Sequence, residues 1–286
     1  MKKGVLYIML SAVCWGLLPL ISRLLFLEGY SGLSVPAVRC FITCLFFLVW
    51  AVHSRIFSKI KWKDVPYFAC NGIFAIFGTY YFYSLAIERL SMAVASVLLY
   101  TAPAFVILFS RIIYKERISK GKMLALLCTI VGLVLVTGVY NPAAISGDGY
   151  GILFGLLSGL SYSMLSIFGR KGLTLYDANI NTIVPTLCTG VAFLALCPPW
   201  QIAAPTATGA VLFLLLAVVG SVIPYTAYLK GMSLGVEGGN ASVIATLEPV
   251  VASLVGVFFL QDAITWVAVL GIFVMLTGSR MVLKRK

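Results

Sequence analysis

The sequence predicts an all-α integral membrane protein: ten transmembrane helices in two inverted five-helix repeats, with both termini cytoplasmic. Three observations predict it: an apolar content too high for a soluble core, ten apolar segments of bilayer-spanning length, and a recurrence of residues at a near-constant offset. Of 286 residues, 61% are drawn from AVILMFWYC and 10% are charged, against about 45–50% apolar and about 25% charged in soluble domains. With 21 Lys and Arg and 9 Asp and Glu, the chain lacks the charge to cover a soluble globule of this size, so the bilayer is the expected solvent. The net charge of +12 would point to nucleic acid on a polar chain; on this one no nucleic-acid partner is expected.

A spanning helix needs about 20 mainly apolar residues. Candidates lie at 4–27, 33–53, 65–87, 91–113, 120–140, 149–169, 178–197, 207–230, 238–260 and 264–283. The opening Met-Lys-Lys before an apolar run resembles a signal peptide, but the run continues past Pro19 without a small-residue cleavage pattern, so it is read as the first span. The segments are continuously apolar and too long for the alternating strands of about ten residues that build membrane barrels. A helical bundle is the expected alternative, since it satisfies backbone groups within each span.

Orientation follows from Lys and Arg, which are enriched in cytoplasmic loops. With the N-terminus inside, 18 of the 21 basic residues fall on the cytoplasmic side, leaving Arg23, Arg39 and Arg89 toward the outside. The outer connections 141–148 and 198–209 contain no basic residue. The expected location is the bacterial cytoplasmic membrane.

Gly4, Leu10, Ser11 and Arg23 recur 147 residues later as Gly151, Leu157, Ser158 and Arg170, with Trp15 answered by Tyr162. Ser96, Pro103, Glu116 and Gly132 recur at 146 as Ser242, Pro249, Asp262 and Gly278. Repeats are therefore expected over 1–140 and 146–286. Five helices per unit is an odd number, so the second copy enters from the opposite side, the arrangement that lets transporter halves exchange conformations around a central site.

Candidate substrate-binding residues are polar or aromatic positions sharing a helix face. Ser96, Tyr100 and Pro103 have i, i+4, i+7 spacing, and Ser242, Thr246 and Pro249 repeat it. Each proline removes a backbone hydrogen bond, so Pro103 and Pro249 are candidate hinges, or else static kinks. Ser11 and Trp15 share a face with Ser22, and Ser158 and Tyr162 share one with Ser166; small residues there also suit close helix packing. The third span has a mid-membrane Asn71 followed by a run of aromatics that includes Tyr80. With Trp15, Tyr100, Tyr162 and Tyr225 these could line an aromatic cavity for a flat or cationic substrate, although most serve equally well as packing or an interfacial belt.

Arg39 and Glu248 are buried-charge or coupling candidates, because a charge at mid-membrane costs about 2.5–3.5 kcal/mol on insertion scales and calls for a partner or a wet cavity. Glu248 could take a proton or an amino group, and Arg39 a carboxylate or Glu248 itself. On a continuous helix Glu248 lies about 120° from the Ser242/Thr246 face, at about 100° per residue, beside Ala241, Ala245 and Ala252. A structural role at a helix contact is the favoured reading for it. One acid leaves proton coupling and facilitated diffusion both open.

Seven cysteines, an odd number scattered through apolar runs without CxxC or Cys/His spacing, suggest neither disulfides nor zinc. No Walker motif, zinc-spaced histidines or GxSxG elbow is present, so neither a cofactor nor an enzymatic activity is expected.

The stretches ASVLLYTAPAFVILFSRIIYKERIS (95–119) and NASVIATLEPVVASLVGVFFLQDAIT (240–265), with AVCWG (12–16), the Arg39 region, GLLSGLSYSMLSIFGRKG (155–172) and VVGSVIPYTAY (218–228), resemble the EamA family of the drug/metabolite transporter superfamily over nearly the whole chain. That resemblance implies ten helices in two inverted repeats, a central cavity, and export of small metabolites, amino acids or drugs. The position matching Arg39 in the second half is uncharged, which weakens a strictly symmetric charge mechanism. The function expected is a secondary transporter exporting a small amphipathic metabolite by alternating access. An importer of the same fold, a channel, a membrane enzyme or lipid-handling protein, and a partner-binding subunit are the alternatives. Substrate and lipid are the expected partners, and monomer and weak dimer stay equally open.

Overall fold

The computed structural model describes residues 2–30, 32–116, 118–141, 149–260 and 265–283. Among these the chain is a helical bundle. Nine helices are long and apolar enough to cross a membrane: α1 Lys2–Leu27, α2 Ser34–His53, α3 Trp62–Ile87, α4 Met92–Tyr114, α5 Lys120–Thr137, α6 Gly149–Gly172, α7 Ala178–Leu196, α8 Ala207–Ser233 and α9 Gly238–Phe259. A further apolar helix, α10 Trp266–Met281, is shorter. Arg117, Asp262 and residues 284–286, used above for orientation and the repeat, lie outside the described residues.

Local chemistry sets several helix ends. The side chains of Ser91, Ser119, Asp177 and Thr206 accept hydrogen bonds from backbone N–H groups of the first turns of α4, α5, α7 and α8, satisfying donors that otherwise have no intrahelical partner. At the end of α5, Gly138 adopts φ +72°, a left-handed cap that a side chain would strain. Large apolar side chains face outward along the helices, including Val49, Val191 and Phe258 at 71%, 68% and 77% exposure. A soluble surface rarely gathers so many in one band; in lipid they are ordinary.

The principal helix pairs are α5 with α10, α3 with α6, α1 with α8, α4 with α6, α3 with α7, α1 with α9, α2 with α7 and α2 with α8. Exchanging helix n for n+5 maps this set onto itself. The same exchange relates single atoms: a Cβ on Gly132 would lie 2.6 Å from the Gly271 carbonyl oxygen, and one on Gly278 would lie 2.9 Å from that of Ala125, while 125 + 146 = 271 and 132 + 146 = 278. Glycine is needed at both crossings because the backbones touch there.

Five of the described helices are interrupted, four of them in corresponding pairs; the fifth, α1, breaks at Leu17, where α6 has no counterpart. The hydrogen bonding of α3 is π-type over Asn71–Phe77 and that of α8 over Val218–Val222, and 71 + 147 = 218. Meanwhile α4 breaks at Tyr100 and Thr101, just before Ala102–Tyr114 resumes, and α9 breaks at Thr246 and Leu247, just before Glu248–Leu260. Pro103 and Pro249 lie in the first turn after each break, where a missing N–H is tolerated. The hydroxyls of Thr101 and Thr246 donate to the carbonyls of Leu98 and Val243, each at 2.6 Å, and the backbone N–H groups of the same two threonines bond the same carbonyls.

Candidate functional site

The interruptions surround a cavity of about 410 Å³ between the halves, within the range of small-molecule sites. It runs from Trp15 and Tyr162 in the middle of the bundle to Phe26, Gly32, Pro36 and Met92 at the end where α1 meets α2 and α3 meets α4. Its inner wall is aromatic. Trp15 makes edge contacts with Tyr162 at 5.9 Å and Tyr225 at 5.7 Å between centroids, and packs at 5.7 Å on Tyr228. The hydroxyls of Tyr80 and Tyr225 are 2.5 Å apart, and those of Tyr83 and Ser96 are 3.1 Å apart. These bonds link α3 to α8 and to α4.

Two opposite charges face this space. Arg39 is buried, with its guanidinium over the Tyr80 ring at 4.3 Å from the centroid, and its Nε has no hydrogen-bond partner among the described residues. Glu248 opens the second segment of α9, where the positive end of the half-helix dipole favours a carboxylate. It interacts with the Tyr100 hydroxyl and lies within the field of Arg39, yet no ion pair joins the two.

The opposite end of the bundle is cross-linked. Glu116 pairs with Arg170 and, at 3.7 Å, with Lys122, whose ammonium also reaches Glu237 at 2.6 Å. The Arg170 guanidinium covers the Tyr114 ring at 4.1 Å. Tyr67 and Tyr114 donate to the carbonyls of Phe168 and Ile167 on α6, and Tyr176 donates to Asp64 at 2.6 Å. Gly4 packs on Gly231 and Val236, next to Glu237, which puts this cross-linked end beside the start of α1.

A family model matches the chain twice, over residues 2–138 and 149–284, and its description is the EamA-like transporter family. The chain belongs to that family. An uncharacterized transporter of Archaeoglobus fulgidus is 29% identical over 97% of this chain and 95% of its own length, and one of Clostridium kluyveri is 23% identical over 98% and 92%. A solved crystal structure, 16% identical, covers 98% of this chain and 96% of its own with a TM-score of 0.84, so the two share a fold. As an EamA-like protein the chain is a multi-pass membrane transporter, and family and relatives point away from an enzyme.

Of the residues singled out in the sequence, this EamA-like cavity gathers Trp15, Arg39, Tyr80, Ser96, Tyr100, Tyr162, Tyr225 and Glu248. It does not gather Ser11, Asn71, Ser158, Ser242 or Thr246. Ser11 donates to the Pro224 carbonyl at 2.9 Å, tying α1 to α8, and Ser158 donates to Gly155 within its own helix at 2.6 Å. Asn71 is buried in the π-segment beside Gly72, whose Cβ position is 2.3 Å from the Pro185 carbonyl oxygen of α7. Ser242, before the α9 break, and Thr246, at it, are buried. A face projected at a constant angle per residue does not survive an interruption at Thr246 and Leu247, and Glu248 lines the cavity while Ser242 and Thr246 do not.

Ser22, Thr79, Tyr83 and Ser84 also line the cavity and were not singled out as binding candidates. A signal existed for two of them, since Ser22 shares the Ser11/Trp15 face and Tyr83 follows Tyr80 by three residues.

Proposed function

We propose that this chain is a secondary transporter that exports small metabolites across the bacterial cytoplasmic membrane by alternating access, with Arg39, Glu248 and the aromatic wall binding substrate. The observation that carries the reading is a cavity between the halves that reaches one end of the bundle, while the other end is held by Glu116, Arg170, Lys122 and Glu237. That asymmetry is what one side of an alternating-access cycle requires.

In this reading α10 completes ten spans, residues 1–140 and 146–286 are inverted repeats, and both termini are cytoplasmic. The self-mapping helix contacts, the paired π-segments and the two family-model matches support the repeat. The concentration of basic residues beside the start of α1 supports the orientation, which makes the conformation outward-open. Pro103 and Pro249 act as hinges, because the half-helices on either side of each break can change angle without losing a regular hydrogen bond.

The test is flux into and out of liposomes containing the purified protein, over a broad metabolite panel, with and without a pH gradient. Saturable movement of at least one compound is expected. Failure of every compound under both conditions would remove the transporter reading.

A further inference from the structure

The connection between α2 and α3 concentrates positive charge that no acid answers. Arg55, Lys59, Lys61 and Lys63 stand within one short stretch, all exposed, and none forms an ion pair among the described residues. The one acid beside them, Asp64, is engaged by the Tyr176 hydroxyl at 2.6 Å. Like charges this close repel, yet the connection has a defined shape. Arg55 takes the left-handed conformation at φ +51° and turns the chain out of α2. Ile56 and Ile60 pack with Phe47, Phe68 and Ile180, and the Lys61 N–H donates to Tyr176 at 3.1 Å. The packing that takes up both isoleucines leaves the cations on the surface.

Apolar surface continues from the charges. Phe57 is exposed and Trp62 is 89% exposed, aromatic residues of the kind that settle at headgroup depth. Leu45, Val49 and Val52, at i, i+4, i+7 spacing, carry an exposed apolar face along α2 to the same end. A soluble anion would use the cations and nothing else, whereas a ligand with a phosphate head and hydrocarbon tails uses both.

We infer that Arg55, Lys59, Lys61 and Lys63 form a binding surface for an anionic phospholipid, its phosphate among the cations, Phe57 and Trp62 at the level of its glycerol backbone, and its acyl chains along α2. Basic clusters directly beyond a spanning helix attract anionic headgroups. A zwitterionic phospholipid brings its own cation beside the phosphate and gains less from this cluster. The surface lies at the cross-linked end, away from the cavity mouth, and Tyr176 grips the same connection through Lys61 and Asp64. A bound lipid therefore pins the α2–α3 connection where it meets the α6–α7 connection, adding to the contacts that hold this end together. Binding there does not depend on what the cavity carries.

The experiment is thermal stabilisation of the purified full chain in an uncharged detergent. The probes are dioleoyl phosphatidylglycerol, dioleoyl phosphatidylcholine, which has the same chains, and glycerol 3-phosphate, which has the phosphate and no chains. Phosphatidylglycerol should stabilise the wild type at concentrations at least about tenfold below those of phosphatidylcholine, and about 1 M salt should erase most of that preference. Glycerol 3-phosphate should have no effect over the same range. Arg55→Gln with Lys59→Gln, and Lys61→Gln with Lys63→Gln, should each bring phosphatidylglycerol toward phosphatidylcholine. Lys115→Gln with Lys120→Gln, exposed cations at the α4–α5 connection, should keep the wild-type preference. Equal stabilisation by the two lipids, or an equal effect of glycerol 3-phosphate, overturns the inference from the wild type alone. A loss in the Lys115 and Lys120 pair as large as in the other two assigns the preference to overall charge and overturns it as well. Trp62 gives a reading that needs no charge substitution to fold. Phosphatidylglycerol with brominated chains should quench the fluorescence of the wild type more strongly than that of Trp62→Phe, and equal quenching of both places the lipid elsewhere.

Discussion

The Arg39 guanidinium lies on the face of Tyr80, 4.3 Å from the ring centroid, while the Tyr80 hydroxyl sits 2.5 Å from that of Tyr225 on the other half of the molecule. One ring thus positions the cavity's cation and closes a contact between repeats. The two roles separate by substitution. Tyr80→Phe keeps the face and loses the hydroxyl contact, and substrate affinity should stay within severalfold. Tyr80→Leu loses the face as well, removing a desolvated cation–π contact of about 2 kcal/mol, and should weaken binding by more than about tenfold. Thermal-shift titration with a transported compound measures both.

Glu116 neutralises Arg170 and Lys122 together. Glu116→Gln leaves Arg170 without its carboxylate and Lys122 with Glu237 alone, so the melting temperature should fall. Arg170 is about one-third exposed, which screens part of the loss. A double-mutant cycle with Arg170→Gln should show coupling of about 1 kcal/mol. Additive losses would mean that the two side chains are neighbours without a shared energetic role.

Tyr176, in the connection between α6 and α7, donates to Asp64 at 2.6 Å and accepts from the Lys61 N–H at 3.1 Å. The bond to Asp64 raises the phenol above its ordinary pKa near 10. A raised folded-state pKa contributes stability that is fully present below the unfolded value and is lost as pH rises through the folded one. The latch should therefore hold at neutral pH and release above pH 10. Comparing melting temperatures of wild type and Tyr176→Phe from pH 7 to 11 checks this, and the difference between them should shrink only at the alkaline end.

Pro249 follows the α9 break, so no N–H at that position can donate to Ala245. Pro249→Ala supplies the donor and favours a continuous helix. Turnover should fall about tenfold, corresponding to 1.4 kcal/mol in a conformational barrier, while substrate affinity should change less. Equal losses in both would assign Pro249 to binding or folding and remove the hinge.

Asn71 is buried with both amide atoms unsatisfied among the described residues. Such a group costs about 1–3 kcal/mol, and Asn71 lies outside the cavity lining. Asn71→Leu should therefore raise the melting temperature and leave substrate affinity unchanged. Loss of affinity would return Asn71 to the binding site.

Much of this was legible in the sequence because lipid makes span length and hydropathy direct readouts of helix position, and because Trp15 and Tyr162 or Pro103 and Pro249 keep a near-constant offset. The aromatic wall was legible for the same reason: Trp15, Tyr100, Tyr162 and Tyr225 are large amphipathic residues in otherwise aliphatic spans. Side-chain direction was legible where a break did not shift the helical phase. Ser96, and Tyr100 where the break in α4 begins, share the cavity as their spacing predicts. Glu248, across the break in α9, does not keep the phase of Ser242 and Thr246. The π-segments at Asn71 and Val218 left no trace in composition; they lie where Gly72 approaches Pro185 and Gly220 approaches Leu18, contacts that exist only after packing. Serines were the least readable class: Ser22 and Ser96 line the cavity, whereas Ser11 and Ser158 spend their hydroxyls on backbone carbonyls.

Alternating access exposes one cavity to the two sides in turn, and counterflow reads that exposure. Liposomes preloaded with a compound that the protein moves, then diluted into a trace of the same labelled compound without any ion gradient, should accumulate label transiently above equilibrium, and Arg39→Gln should abolish the overshoot. Entry that rises only to equilibrium, at the same rate with or without preloading, would identify an open pathway and contradict alternating access.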